Sequence, residues 1–193
     1  MQTLDVVNAM LGTLGEAPLN SLADPHAFRY AAISSLDAEN EFVQSSGHWF
    51  NRETVTIQKN VGDGKFYVAN DIIDVSVPNY PQYVQRDRVL YDVAKGSPFL
   101  DETEITAKVI RLLAFDTLPS IARTYIGNKA IARFQVAYDG DPVRTQQINQ
   151  LVQAARVDFN ATATRQAALN LADNDATIQK LRRNHAARYY IPR

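Results

Sequence analysis

The hydrophobic residues of this 193-residue chain change period twice, and that double change limits the folds open to it. Residues 3 to 15 place Leu4, Val7, Met10, Leu11 and Leu14 three and four apart, a helical stripe that stops at Gly15, the residue type favoured just past a helix end. A loop follows over Glu16 to Leu22. Asp24-Pro25 then predicts a second helix, with a carboxylate at the N-cap and a proline at the first helical position. Its apolar face is Phe28, Ala32, Leu36 and Val43, and it runs to about Ser46-Gly47. From Trp49 to about Leu113 the period falls to two, in Val55 and Ile57, then Ile73, Val75 and Val77, then Val89, Tyr91 and Val93, which predicts strands. Gly62-Asp63-Gly64 marks a hairpin turn, and Pro78, Pro81, Gly96 and Pro98 punctuate the rest. Glu104 to Leu112 has Ile105, Ala107 and Val109 on one face and Ile110 and Leu112 on the other. Apolar residues on both faces predict a central strand, or one packed against both helices and sheet.

After Leu118-Pro119 the helical period returns through Ile121, Ala122, Tyr125, Ile126, Ala130, Phe134 and Ala137, and ends at Asp139-Gly140. Asp141-Pro142 repeats the cap-plus-proline start. The stripe Ile148, Val152, Ala155, Phe159, Ala163, Ala167 and Leu171 then predicts a helix of roughly 30 residues, about 45 Å long. A further short helix is expected after Asn174-Asp175, and Tyr189 to Arg193 reads as a tail.

These periods define an α+β chain: helices over 1–47, an inserted, mostly antiparallel β region over 48–114, and long helices with a C-terminal tail over 115–193. Amphipathic helices at both ends must each bury a stripe, so they are expected to pack together as one bundle that carries the sheet, the whole forming a single domain. Trp49 and Phe50 are expected to be buried where helix meets sheet. The sequence shows no internal repeat of about 20 to 50 residues and no low-complexity run.

Composition removes several classes of function. There are no cysteines, so neither disulfides nor thiolate metal sites hold the fold. Lys and Arg number 20 against 21 Asp and Glu, so no global field marks a nucleic-acid or membrane binder. The start, Met1-Gln2-Thr3-Leu4-Asp5, lacks the basic opening of a signal peptide, and no apolar run approaches the roughly 20 residues that span a bilayer. The expectation is a soluble chain made in the cytoplasm, without a membrane anchor.

Catalytic patterns fail on spacing. Gly62-Asp63-Gly64-Lys65 lacks the remaining glycine and the strand-to-helix context of a phosphate loop. His26, His48 and His185 are widely separated and form no zinc motif. Ser34-Ser35 and Ser45-Ser46 sit in no nucleophile elbow. No catalytic, cofactor or metal residue is therefore assigned. Carboxylates need a separate hearing, because glycoside hydrolysis requires only two at a set separation. Asp101, Glu102 and Glu104 cluster between strands, and the alternative to a solvated acidic turn is a hydrolase of cell-surface polysaccharide or peptidoglycan.

One local charge feature stands out. From Ala176 onward come Lys180, Arg182, Arg183, Arg188 and Arg193 with no acidic residue, interleaved with Tyr189 and Tyr190. Such an end suits phosphate or an acidic protein face, and Tyr and Arg are enriched where interfaces carry energy. Lys180, Arg182, Arg183, Arg188, Tyr189 and Tyr190 are the candidate partner-binding residues. A DNA-binding module is the competing reading of the same cluster, for which steep salt dependence of binding is the requirement.

Several segments, in order, resemble the tail tubular protein A adaptors of short-tailed bacteriophages. Val7-Asn8-Ala9-Met10-Leu11-Gly12-Thr13-Leu14-Gly15-Glu16-Ala17-Pro18-Leu19-Asn20-Ser21-Leu22 resembles that family's opening helix and its Gly-Glu-x-Pro loop. Gly47-His48-Trp49-Phe50-Asn51 is similar to its step from helix into sheet, and Arg88-Val89-Leu90-Tyr91-Asp92 to one of its strands. Leu118-Pro119 through Arg123, Tyr125-Ile126, Lys129-Ala130 and Arg133-Phe134-Gln135 resemble its central helix. The likeness covers about residues 1 to 140, and beyond Asp141 only the helical character matches. It implies a structural subunit of a ring, in this family a dodecamer. That ring joins the portal of the capsid to the tubular nozzle, tubular protein B, with tail fibres attached near the junction and DNA passing through the channel without specific binding.

Overall fold

The computed structural model describes the chain from Met1 to Ala172. Among these residues four α-helices, α1 (Thr3–Thr13), α2 (Arg29–Ser45), α3 (Ser120–Tyr138) and α4 (Pro142–Ala172), flank five strands. These are β1 (Arg52–Gln58), β2 (Ile72–Ser76), β3 (Tyr83–Arg86), β4 (Val89–Asp92) and β5 (Glu104–Arg111). N- and C-terminal helices pack together and the antiparallel strands lie between them in the chain, so the α+β architecture read from the two changes of period is the one observed.

α1 ends as its glycine predicts. Gly15 takes φ +75°, the Glu16 N–H donates to the Leu11 carbonyl at 3.0 Å, and the Gly15 N–H to that of Gly12 at 3.2 Å. That pair of bonds satisfies carbonyls that the helix itself leaves free. Asn8 then fixes the following loop, its side chain donating to the Leu19 carbonyl and accepting from the Leu19 N–H. α2 departs from the expectation. It starts at Arg29, not at Asp24-Pro25, because the Asp24 carboxylate accepts from the Asn20 and Ser21 N–H groups at 2.9 and 3.0 Å and closes the preceding loop. The second Asp-Pro pair behaves as read: the Asp141 carboxylate accepts from the Arg144 N–H at 2.7 Å and α4 begins at Pro142.

α3 is the centre of the helical core. Ala122, Ile126, Ala130 and Phe134 are fully buried, and α3 packs against α1, α2 and α4. Gly127 lets α1 approach closely, since a Cβ there would stand 3.1 Å from Val6 Cγ2. Val6, Val7, Met10 and Leu11 of α1 and Leu36 of α2 complete this core. α4 adds Ile148, Val152, Ala155 and Phe159, four, three and four apart, which accounts for its length of attachment along α3. Ala137, placed in the sequence on the apolar face of α3, is exposed; the fully buried Gln135 takes its share of the interior.

The strands form two sheets. The larger has the order β1-β5-β2, all antiparallel, so Glu104–Arg111 is the central strand that its two apolar faces predict. Ile105, Ala107 and Val109 point into a second core with Ile57, Phe66, Val75, Val77, Tyr83 and Leu90. Gly62-Asp63-Gly64 does turn the chain, between Lys59 and its antiparallel bridge partner Phe66. The smaller sheet is the hairpin β3-β4, turned at Asp87 with φ +58°, a left-handed conformation that aspartate tolerates. Two details differ from simple alternation. A register shift between Ile72 and Asp74 puts Ile72 inside beside Val75 and leaves Ile73 half-buried. Val93 lies past the end of β4 in an exposed turn.

Candidate functional site

The helical core and the β core are separate clusters, joined where the chain passes from α2 into β1 and from β5 toward α3. Three buried polar side chains tie both crossings together. The Gln44 amide nitrogen donates to Asn40 Oδ1 and to the Leu113 carbonyl, each at 2.8 Å, and Gln44 Oε1 accepts from the Leu113 N–H at 2.9 Å. The Asn51 amide nitrogen donates to the carbonyls of Gln44 at 3.0 Å and Arg111 at 2.9 Å, and Asn51 Oδ1 accepts from the His48 N–H at 2.7 Å. Gln44 and Asn51 are wholly buried, so each of these bonds satisfies a group that would otherwise lose water for nothing. Gly47 sits in the same joint at φ +67°, and a Cβ there would come within 2.7 Å of Ile110 Cδ1. Outside it, the Arg111 guanidinium donates to Glu53 of β1 and to Asp71, the residue before β2, which holds Asp71 below the usual carboxylate range.

α4 is docked on this joint through aromatic rings. Phe159 lies 4.9 Å from the His48 ring in an edge contact, 5.1 Å from Trp49, and stacks on Tyr125 at 5.1 Å. Trp49 and Phe50, expected to be buried, are half-buried against the helical core, and Phe159 covers their inner side. His48 Nε2 is 2.9 Å from the Val43 carbonyl, which fixes that nitrogen as the protonated one. Desolvation, with a smaller push from Arg52 and against the pull of the Val43 bond, lowers its pKa.

The three carboxylates weighed as hydrolytic groups are each engaged by a different donor. Asp101 pairs with Lys95 at 2.6 Å, which holds it below the ordinary range. Glu102 accepts from the Tyr83 hydroxyl, whose own pKa is pushed up to about 12 by burial and by that bond. Glu104 accepts from Gln58 at 3.0 Å. A general acid must keep its proton at neutral pH, and the Lys95 ammonium pushes Asp101 the other way. These side chains brace the end of the β region. Among the described residues no group of three or more His, Asp or Glu is placed to hold a metal ion, and no helix is long and apolar enough to cross a membrane.

The remaining unusual surface is the outward side of α4. Val143, Leu151 and Val157 are 64, 60 and 66 % exposed, and residues 145–155 form eleven positions in a row with no charge. An isolated solvent-facing helix is ordinarily laced with charged pairs. Over 145–155 α4 instead presents Gln, Asn, Ala and Leu, and the exposed charges Arg156, Asp158 and Arg165 come only after that stretch. The candidate residues Lys180, Arg182, Arg183, Arg188, Tyr189 and Tyr190, and the short helix expected after Asn174-Asp175, lie outside the described residues. The polar joint went unread in the sequence, because single Asn and Gln residues carry no local signal; their one trace was the short Gly47-to-Asn51 step.

Two cores locked by an internal polar joint, with exposed apolar residues on two helices, Tyr30 and Phe42 of α2 and Val143, Leu151 and Val157 of α4, and no assembled catalytic or metal group among the described residues, have the character of a structural protein. A family model described as tail tubular protein matches residues 4–179, and the chain belongs to that family, structural components of phage tails. The match runs past Asp141, further than the resemblance of individual motifs. No curated protein matches the sequence.

Proposed function

We propose that the chain works as a single adaptor domain that assembles into a ring of about twelve copies at the head–tail junction of the virion, between the portal and the tail nozzle, with tail fibres attached nearby. The observation that carries this reading is the exposed side of α4, a helix about 46 Å long that presents Val143, Leu151 and Val157 and is uncharged over residues 145–155, on a chain of the tail tubular family. A helix of that length offers lateral surface to a neighbour, and head-to-tail contacts that close make a ring. The ring surrounds the channel through which DNA leaves, and its work is sealing and transmission, not catalysis. Residues that face passing DNA should not grip phosphate. The basic cluster Lys180, Arg182, Arg183 and Arg188 with Tyr189 and Tyr190 is therefore assigned to a protein partner. Replacing its four cations by glutamine should weaken assembly and leave DNA retention by assembled particles unchanged; lost retention with intact assembly would contradict that assignment.

Antibody against the purified chain, imaged on virions by electron microscopy, tests the location. Label confined to the head–tail junction is expected, and label at the fibre tips or along the capsid would contradict it. The hydrolase alternative is tested separately by incubating the chain with host cell-surface polymer. No sugar release is expected, and release abolished by Asp101→Asn, Glu102→Gln or Glu104→Gln would revive it.

A further inference from the structure

The two faces that meet between neighbouring copies can be assigned. α3 packs on both α2 and α4, which scarcely touch each other directly, so α2 and α4 occupy different sides of α3. The β region has the same polarity. Glu41, near the end of α2, shares a groove of about 330 Å³ with Ile72 and Ile73 of β2, whereas Ala163 and Ala167 of α4 share another with Arg52 at the start of β1. β1 and β2 are opposite edges of the larger sheet. The two flanks differ in charge. α2 turns outward an exposed row of Tyr30, Ser34, Asp37, Glu41 and Ser45, in which Asp37 and Glu41 are like charges one turn apart. Among the described residues neither has a cation within salt-bridge distance, and neither Arg156 nor Arg165 of α4 has a carboxylate. α4 itself carries Arg144, Arg156 and Arg165 against the single carboxylate Asp158, whereas α2 carries Asp37, Glu39 and Glu41 against Arg29.

We propose that the α2 flank of one copy receives the α4 flank of the next, with Asp37 and Glu41 facing the partner copy's basic side and Tyr30 covering its apolar residues. The occupant of the acidic α2 face is a second copy of this chain. The contact is heterologous, so each copy uses one flank as donor and the other as acceptor and neither flank meets itself. Opposite charge on the two flanks also disfavours the wrong pairing, α2 against α2. This assignment rests on the ring reading above and deepens it.

The chain has no cysteine, which makes cross-linking unambiguous. Glu41→Cys and Arg165→Cys variants are mixed on portal rings from the same phage and treated with a short bis-maleimide. The mixture should give a cross-linked pair containing one of each variant, and either variant alone should give none. Asp37→Arg with Glu41→Arg should raise the concentration needed for half-assembly about tenfold, and Arg156→Glu with Arg165→Glu in the other copy should restore it. Rings that form with no mixed cross-link, or Glu41→Cys joining to itself, would overturn the assignment and leave the ring standing. No assembly of the wild-type chain on portals would remove both.

Discussion

Asn51 and Gln44 show how two side chains can decide the geometry of a molecule with two cores. Asn51 satisfies the carbonyls of Gln44 and Arg111 on the two sides of the joint, Gln44 holds both backbone groups of Leu113, and neither is accessible to water that could replace it. Asn51→Ala orphans the buried carbonyls of Gln44 and Arg111, so chemical denaturation should show a loss of about 2–4 kcal/mol, more than a surface substitution costs. Gly47→Ala meets both a left-handed backbone and Ile110, and a loss of about 1–3 kcal/mol is expected in the same measurement. His48 brings a pH dependence. Its folded pKa is lowered, chiefly by desolvation, so the native state favours the neutral ring. The contribution is complete above the unfolded value of about 6.5 and is lost as pH falls from there through the lowered folded value. Urea midpoints should fall between pH 8 and pH 5, and His48→Gln should flatten that difference; an unchanged slope would contradict the assignment.

At the scale of elements, the same dipeptide has two fates. Asp141-Pro142 starts α4, while Asp24-Pro25 sits in a loop whose N–H groups at Asn20 and Ser21 claim the carboxylate first. Local signals therefore placed α4, the end of α1 and the central strand β5, where one face or one cap decides the outcome. β3 was hidden because its turn at Asp87 uses no glycine, and the Ile72 register shift because it depends on a partner strand. The joint was hidden for the same reason, being made of contacts 60 and 69 residues apart in sequence. α4 supplies a test of its docking. Phe159→Ala removes the ring that contacts His48, Trp49 and Tyr125 and should cost about 3–5 kcal/mol. Trp49 is the sole tryptophan, so its emission should shift to the red in that variant. An unshifted spectrum would mean that α4 does not cover the joint.

For the whole molecule, a helical body and a sheet with their own cores are tied together by the buried bonds of the joint, and α2 and α4 differ in charge. Buried hydrogen bonds at both crossings oppose a hinge there, as the proposed place between portal and nozzle requires. The central claim is that such subunits close on a portal. Purified chain mixed with portal rings of its own phage and weighed by native mass spectrometry tests it directly. A single defined complex with about twelve copies per portal is the predicted result, and portal rings that retain their own mass at saturating chain would contradict it.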